Sequence, residues 1–216
     1  MTEPDFRTAT RAAYDAMADR YAASIPERYR AEPLNHAMVP LFAELVLAQG
    51  GGAVADVGCG PGHVTAHLHA LGVDAFGIDL SPGMVALARE AHPRLRFEVG
   101  VMESLNVADQ ALAGVVANFA ILHTPPEGLP AVVAEFGRVL APGGHLLLGF
   151  PAWDGAGPAQ AYDHVVTTAY RHAPDRVAGL LLEHGLAEVA RLTVAPGEDP
   201  RRGFPQAFLL ARRTAP

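Results

Sequence analysis

Three glycines alternate with single residues at Gly58, Gly60 and Gly62, directly after a short apolar run. Glycine reaches backbone torsions that other residues avoid, and its missing side chain lets a ligand approach the main chain. The next apolar run ends in Asp79, about 20 residues after Gly58, where an acidic side chain can accept hydrogen bonds from ribose hydroxyls. Together these residues predict a site for a nucleoside-containing ligand.

The spacing of this loop argues against a dinucleotide as that ligand. The dinucleotide fingerprint G-x-G-x-x-G would place its third glycine at the position of His63, whereas this chain has it at Gly62. Pro61 removes a backbone N–H that would otherwise help to hold a pyrophosphate. Asp56, just before the glycines, favours a cationic ligand group over a diphosphate. A nucleotide-dependent oxidoreductase of the Rossmann type is kept as an alternative.

The elements that would position these residues alternate between apolar runs and helical segments. Ser81 and Pro82 begin one helix as an N-cap and a first-turn proline. Short, fully apolar strands that alternate with helices are typical of a parallel sheet covered on both faces, so the predicted fold class is α/β, doubly wound. Further helices are predicted at 61–71 and 126–140, and strands at 53–57, 73–79, 95–99, 114–119 and 145–150.

Two further segments flank this alternating core. Before it, the spacing of apolar residues predicts helices at 7–23 and 34–48, with a loop between Pro26 and Pro33. Pro40 is expected to kink the second helix or to mark its first turn. After the core, we predict an irregular insertion, a helix and an antiparallel pair of strands at the sheet edge, at 151–173, 174–184, 186–194 and 206–211.

Composition narrows the class of protein. Half of the 216 residues are apolar and 18% are charged, which suits a packed core and a single domain. The formal charge of −7 and the scattered arginines argue against a nucleic-acid partner. No apolar run reaches about 18 residues, so no membrane span or membrane partner is predicted. Because Cys59 is the single cysteine, an internal disulfide is excluded and a cytoplasmic location is expected.

The segments VADVGCGPGHVTAHL, FGIDLSPGMVALAR and FGRVLAPGGHLLLGF resemble the class I S-adenosylmethionine-dependent methyltransferases, and more narrowly the small bacterial methyltransferase-domain proteins. The resemblance covers about residues 10–212. It implies a Rossmann-like, seven-stranded sheet with an antiparallel C-terminal hairpin, and S-adenosylmethionine as cofactor, with S-adenosylhomocysteine as product. Residues 1–216 would form one domain: a helical cap (1–50), a cofactor-binding core (51–150), a substrate-side insertion (151–173), and a C-terminal helix and hairpin (174–216).

The resemblance also implies which residues contact this cofactor. The family's aspartate after the third strand, which reaches the adenine, is absent here, because the chain reads Gly100-Val101-Met102-Glu103. Adenine contacts are therefore expected from backbone and apolar groups of Val101 and Met102, with Glu103 a weaker candidate. The other expected contacts are Asp56, Gly58, Cys59, Gly60 and Gly62 for the methionine part, Asp79 for the ribose, Leu80 and Met84 for the adenine, Asn118 and Phe119 beneath the sulfonium, and Tyr14 and Tyr21 closing over the cofactor.

The methyl acceptor is expected between the N-terminal helices and residues 151–173, whose aromatic content favours a small, partly apolar molecule. Trp153, Tyr162 and His164 are the candidate substrate-binding residues. His123 is the candidate base, because an ordinary histidine pKa near 6.5 suits proton transfer at neutral pH; a purely structural histidine is the alternative. The residues leave O-, N- and C-methylation open.

The sequence also allows alternatives to a methyltransferase. A protein that binds S-adenosylmethionine without catalysing methyl transfer is an alternative to an enzyme. His63 and His67 lie four residues apart on one predicted helix, which is a metal-like spacing, but no third ligand is evident and no metal is predicted. The protein is expected to be a monomer or a homodimer.

Overall fold

A seven-stranded sheet with helices on both faces forms the centre of the computed structural model, which describes residues 3–196 and 203–214. The helices are α1 Glu3–Ala31, α2 Met38–Ala48, α3 His63–Ala70, α4 Pro82–Ala91, α5 Leu129–Val139 and α6 Pro174–Glu183. The strands are β1 Ala53–Val57, β2 Asp74–Asp79, β3 Phe97–Val99, β4 Leu112–Asn118, β5 Leu140–Pro151, β6 Ala159–Asp163, β7 Thr168–His172, β8 Leu186–Val194 and β9 Gln206–Arg213.

The strand order in the large sheet is β3-β2-β1-β4-β5-β9-β8. The first five of these strands are parallel, whereas β9 runs antiparallel to both of its neighbours. The order reverses between β1 and β4, and the carboxyl ends of strands at such a point form the crevice in which doubly wound folds bind ligands. The predicted fold class, including the reversed hairpin at the sheet edge, is confirmed.

The core lies in two layers, because successive residues of a strand point to opposite faces of the sheet. On one face Leu148 packs with Phe136 of α5, and on the other Leu147 packs with Phe42 of α2. These packed layers hold the carboxyl ends of β1, β2 and β4 in register. Among the described residues, no helix combines the length and apolar content that crossing a membrane requires.

Several local predictions are confirmed in this architecture. Ser81 caps α4, and its hydroxyl accepts a hydrogen bond from the N–H of Met84 at 3.1 Å. Pro40 lies in the first turn of α2, where a proline removes no helical hydrogen bond. The short strand β1 has the bounds that its apolar run predicts.

The predicted loop between Pro26 and Pro33 is wrong, because α1 continues through residue 26 to Ala31. A proline removes only its own N–H from the helix ladder, and tertiary contacts can offset that loss. Here the last turns are held by Tyr29, whose ring stacks on His36 at 4.1 Å and whose hydroxyl hydrogen-bonds the Nδ1 of His67 at 2.8 Å. The helical cap therefore reaches further over the sheet than the sequence predicts.

The predicted irregular insertion is also wrong in part. Within residues 151–173, β6 and β7 pair as an antiparallel hairpin, with Tyr162 opposite Ala169. The segment before β6 is rich in glycine and proline, so the sequence gives no clear strand pattern for this hairpin. This hairpin packs on the turn that follows β4, where the carbonyl of Thr168 lies 2.9 Å from the Nδ1 of His123.

His172, at the end of β7, makes stability depend on pH. Its side chain is fully buried near Phe150 and Tyr170. Burial lowers the pKa of His172 to about 4, although backbone groups of Ile121 and Thr124 favour the charged imidazole. The unfolded chain, with an ordinary histidine pKa near 6.5, therefore takes up a proton as pH falls through about 6.5, whereas the folded protein stays neutral until about 4.

We expect this difference to lower the free energy of unfolding by about 2 kcal/mol between pH 7.5 and pH 5. Replacing the histidine by an apolar ring, His172→Phe, is expected to remove that part of the pH dependence. Urea unfolding of parent and variant at both pH values measures it. His69→Phe, at an exposed position of α3, serves as the control and should keep the parent's pH dependence. Equal pH dependence in parent and His172→Phe would show that His172 is not responsible.

Candidate functional site

The glycine loop, residues 58–62, connects β1 to α3 and packs against the carboxyl end of β2. Gly58, Gly60 and Gly62 all have left-handed torsions, with φ of 73°, 51° and 85°. The N–H of Gly58 donates to the carbonyl of Ile78 at 2.7 Å, and the N–H of Gly60 donates to Asp79 Oδ2 at 2.8 Å. The loop is therefore fixed against the end of β2, with Gly58 and Gly60 facing the crevice.

Asp79 ends β2 and faces the same crevice. Its second oxygen, Oδ1, accepts a hydrogen bond from the N–H of Ser81 at 2.8 Å. Burial raises the pKa of this carboxyl, while the N–H groups of Ser81 and Gly60 favour the charged form. Because a carboxylate oxygen can accept more than one hydrogen bond, both oxygens keep capacity for hydroxyl groups of a ligand.

A first cavity extends from the glycine loop past Asp79. Its lining combines two carboxylates, Asp79 and Glu103, with apolar side chains. Eleven of the predicted cofactor residues line it: Tyr14, Tyr21, Gly58, Gly60, Asp79, Leu80, Met84, Val101, Met102, Asn118 and Phe119. Glu103 also lines it and lies 3.9 Å from Arg7 of α1.

A second cavity lies on the other side of the glycine loop and carries charges of both signs. Arg28 of α1 lines it, and its Nε is buried, 4.0 Å from Glu32 Oε1, with no hydrogen-bond partner among the described residues. Asp56 also lines it and accepts a hydrogen bond from Thr65 Oγ1 at 2.6 Å. Burial raises the pKa of Asp56 to about 7, and the hydrogen bond from Thr65 opposes that shift.

A third cavity, of about 600 Å³, opens between α1, the turn after β4 and the β6–β7 hairpin. Tyr21 and Phe119 line all three cavities, and Tyr14 lines the first and the third. Phe119 holds a left-handed φ of 57°, a strained torsion that is uncommon outside glycine and concentrates at functional sites. These three aromatic residues thus lie at the boundary between the first cavity and the larger third cavity.

The structure brings most of the predicted site residues to these cavities. Cys59 lines the second one, and burial raises the pKa of its thiol well above the ordinary value. Tyr162 and His164 line the third. Gly62 instead begins α3, with its α-carbon against the ring of Phe97. That packing gives the third glycine of the loop a structural reason that does not need a ligand.

Trp153 lies outside the three cavities described above. Its indole N–H donates to the carbonyl of Ala156 at 3.1 Å, and the guanidinium of Arg171 lies 5.5 Å from its ring. Arg171 also lies 4.9 Å from the ring of Phe204, which lines the third cavity. A role for Trp153 in binding the acceptor stays a prediction.

His123 is buried on the wall of the first cavity, and both of its ring nitrogens have partners. The Nδ1 lies 2.9 Å from the carbonyl of Thr168, and the Nε2 lies 3.1 Å from the hydroxyl of Tyr14. Burial lowers the pKa of His123, and the Thr168 carbonyl offsets part of that shift. The neutral imidazole is therefore the resting form near neutral pH.

Sequence reasoning missed two residues of α1. Asp15 accepts hydrogen bonds from the hydroxyl of Ser81 at 2.5 Å and from the N–H of Gly83 at 3.0 Å, so it fixes α1 to the start of α4. The hydrogen bond from Ser81 lowers the pKa of Asp15. Arg28 was missed because its cavity exists only when α1 extends past residue 26. No local pattern in the sequence signals Asp15, because its partners Ser81 and Gly83 lie more than 60 positions away.

Comparison with known proteins shows which family the residues around this crevice resemble. Residues 54–144, from β1 to the start of β5, match the family model described as "Methyltransferase domain". This segment is a methyltransferase domain. The assignment made from the three sequence motifs is thereby confirmed for the part of the chain that holds the glycine loop, Asp79 and His123.

Curated relatives of this methyltransferase domain align over part of their length. A demethylmenaquinone methyltransferase of Chlorobaculum parvum is 38% identical over 92 residues, covering 42% of this chain and 37% of that protein. A trans-aconitate 2-methyltransferase of Methylobacterium nodulans is 34% identical over 139 residues, covering 62% of this chain and 49% of that protein. The chain thus spans half or less of the length of these two relatives.

A solved structure extends the likeness to nearly the whole chain. The 1,6-didemethyltoxoflavin-N1-methyltransferase of Burkholderia thailandensis, with bound 1,6-didemethyltoxoflavin and S-adenosylhomocysteine, superposes with a TM-score of 0.68. The match covers 95% of this chain and 91% of that one, at 22% identity. At that identity the match shows a shared fold.

Proposed function

We propose that the protein is an S-adenosylmethionine-dependent methyltransferase that acts on a small, partly apolar molecule by in-line methyl transfer. The observation that carries this proposal is the arrangement of the three cavities around one aromatic boundary. The first and second cavities meet at Gly58 and Gly60, and the third cavity lies across Tyr14, Tyr21 and Phe119. Such an arrangement holds a cofactor on one side and an acceptor on the other.

The residues present fit S-adenosylmethionine at both of its ends. Asp79 would accept hydrogen bonds from the ribose hydroxyls, with apolar side chains beside the adenine. The second cavity offers Arg28 for a carboxylate, and Asp56 and Glu32 for an ammonium group, which matches the zwitterionic methionine end. The buried Arg28 Nε, which has no hydrogen-bond partner among the described residues, would gain an acceptor there. A diphosphate would instead face two carboxylates.

The chemistry supplied by the bound cofactor is a methyl group that its positive sulfur already activates. The protein's own task is to align the acceptor and to exclude water. Tyr14, Tyr21 and Phe119 shape the passage between the cavities, and the rings of Tyr162 and Phe204 line the acceptor side. His123, neutral in the resting state, is the group proposed to take up the acceptor's proton.

Thermal unfolding in the presence of S-adenosylhomocysteine, with NADH in parallel, tests the cofactor directly. A ligand at about 100 times its Kd stabilises the folded state by about 2.7 kcal/mol. For a chain of this size we therefore expect Tm to rise by about 5–10 °C with S-adenosylhomocysteine and to stay unchanged with NADH. No rise with S-adenosylhomocysteine, or a rise with NADH alone, would contradict the proposed function.

A further inference from the structure

The hydrogen bonds around His123 define the direction in which a proton can move. A backbone carbonyl only accepts hydrogen bonds, so the Nδ1 of His123, 2.9 Å from the carbonyl of Thr168, must carry the imidazole proton. In the neutral ring the Nε2 is then an acceptor. The hydroxyl of Tyr14, 3.1 Å away, must donate to it.

This arrangement places Tyr14, and not His123, next to an acceptor in the third cavity. Tyr14 lines both the first and the third cavity, whereas His123 lines only the first of these two and is 5% exposed. Of these two residues only Tyr14 lines the third cavity, so a proton from an acceptor there can reach His123 through the oxygen of Tyr14. The ring of Tyr21 packs edge-on against Tyr14 at 5.8 Å and limits its movement.

We propose that Tyr14 is a catalytic proton relay to His123, and that the methyl acceptor is a phenol or enol hydroxyl. This proposal rests on the methyltransferase function proposed above. The acceptor O–H proton passes to the oxygen of Tyr14 while the phenolic proton of Tyr14 passes to the Nε2 of His123. The acceptor oxygen, left with the electron pair, bonds to the methyl group, and the electron pair of the broken C–S bond stays on sulfur. The imidazolium proton returns to solvent after product release.

The acceptor class follows from proton affinities and from the walls of the cavity. A carboxylic acid is already ionised near pH 7 and needs no relay. A phenol has an ordinary pKa near 10, the same as tyrosine, so its proton transfers to Tyr14 with little change in free energy. The rings of Tyr21, Phe119, Tyr162 and Phe204 line the third cavity and suit an aromatic acceptor.

The first test reads the histidine itself and needs no acceptor. Long-range ¹H–¹⁵N NMR of the protein with bound S-adenosylhomocysteine should show His123 as the neutral Nδ1–H form near pH 7, assigned with His123→Gln. In Tyr14→Phe the resonance of the unprotonated Nε2 should move, because it loses its hydrogen bond. Tyr170→Phe, on β7, is the matched control and should leave that resonance in place. An Nε2–H form, or no response to Tyr14→Phe, overturns the relay.

The second test compares 4-methylphenol with 4-nitrophenol at about pH 8.5, where the first is un-ionised and the second is an anion. We expect Tyr14→Phe to lower kcat about 100-fold for 4-methylphenol and less than threefold for 4-nitrophenol, with KM nearly unchanged. An equal loss for both phenols indicates a structural role and overturns the relay. Transfer to carboxylic acids or amines but to neither phenol, or to no acceptor at all, overturns the acceptor class. Failure of the methyltransferase function itself is separate, since it shows as no Tm rise with S-adenosylhomocysteine.

Discussion

Gly58→Ala is expected to abolish measurable binding of S-adenosylhomocysteine, with a loss of affinity of 100-fold or more, about 3 kcal/mol. At φ of 73° an alanine is strained, and its Cβ would lie 2.5 Å from the Cβ of Ala120. Either the glycine loop or the turn containing Phe119 must move to relieve that contact. The glycine loop and this turn both line the first and second cavities. Isothermal titration of parent and variant with S-adenosylhomocysteine measures the loss.

The control for this prediction is Gly72→Ala, between α3 and β2. Gly72 has a similar φ of 88°, but a Cβ there would meet nothing within 4 Å. Gly72→Ala should therefore carry the backbone cost of roughly 1 kcal/mol alone and bind S-adenosylhomocysteine like the parent. Circular dichroism at the titration temperature checks that both variants are folded. Parent-like binding by a folded Gly58→Ala would show that the loop does not hold the ligand.

The parts of the fold that the sequence predicts well are those with local signals. The strand β1 is a short apolar run that ends at a glycine. The helix α4 begins at Ser81-Pro82, as expected for an N-cap serine followed by a first-turn proline. The alternation of such elements fixes the doubly wound topology, because parallel strands need crossover helices. Asp79 could be placed at the crevice for the same reason, since it ends a strand at the carboxyl edge.

The parts that could not be predicted depend on contacts between residues far apart in the chain. Asp15 and Ser81 are 66 positions apart, and Tyr14 and His123 are 109 positions apart. No local pattern contains either pair. A proline inside a helical pattern normally indicates an end. Here α1 continues past residue 26, and Tyr29 holds its last turns through contacts with His67 of α3 and with His36 in the turn that follows α1.

The same contrast explains the candidate site. Motif spacing alone predicts that the glycine loop and Asp79 lie together at the carboxyl edge of the sheet, and the structure places them there. The other half of the site comes from α1 and the β6–β7 hairpin, whose positions over the sheet follow from tertiary packing. Arg28 and Phe204 therefore enter the cavities without any sequence signal. Both lie outside residues 54–144, the part of the chain that the family model matches.

Asp79→Asn is expected to weaken the binding of S-adenosylhomocysteine about 30- to 100-fold. A hydrogen bond to a charged group contributes about 1.5–3 kcal/mol, and the amide keeps only one acceptor oxygen. The amide NH₂ would also face a backbone donor, because both carboxylate oxygens accept N–H groups, from Gly60 and Ser81. Some stability is therefore lost as well, and affinity alone does not separate a ribose contact from a displaced loop.

A ligand lacking the ribose hydroxyls separates these two causes. If Asp79 binds those hydroxyls, the parent's affinity for the 2′,3′-dideoxy analogue of S-adenosylhomocysteine should be at least about 30-fold lower than its affinity for S-adenosylhomocysteine. In Asp79→Asn the two ligands should bind almost equally, because the interaction is already lost. Asp74→Asn, at the exposed start of the same strand, should behave like the parent toward both ligands. A full 30-fold preference for the hydroxylated ligand in Asp79→Asn would assign the ribose to another residue of the crevice.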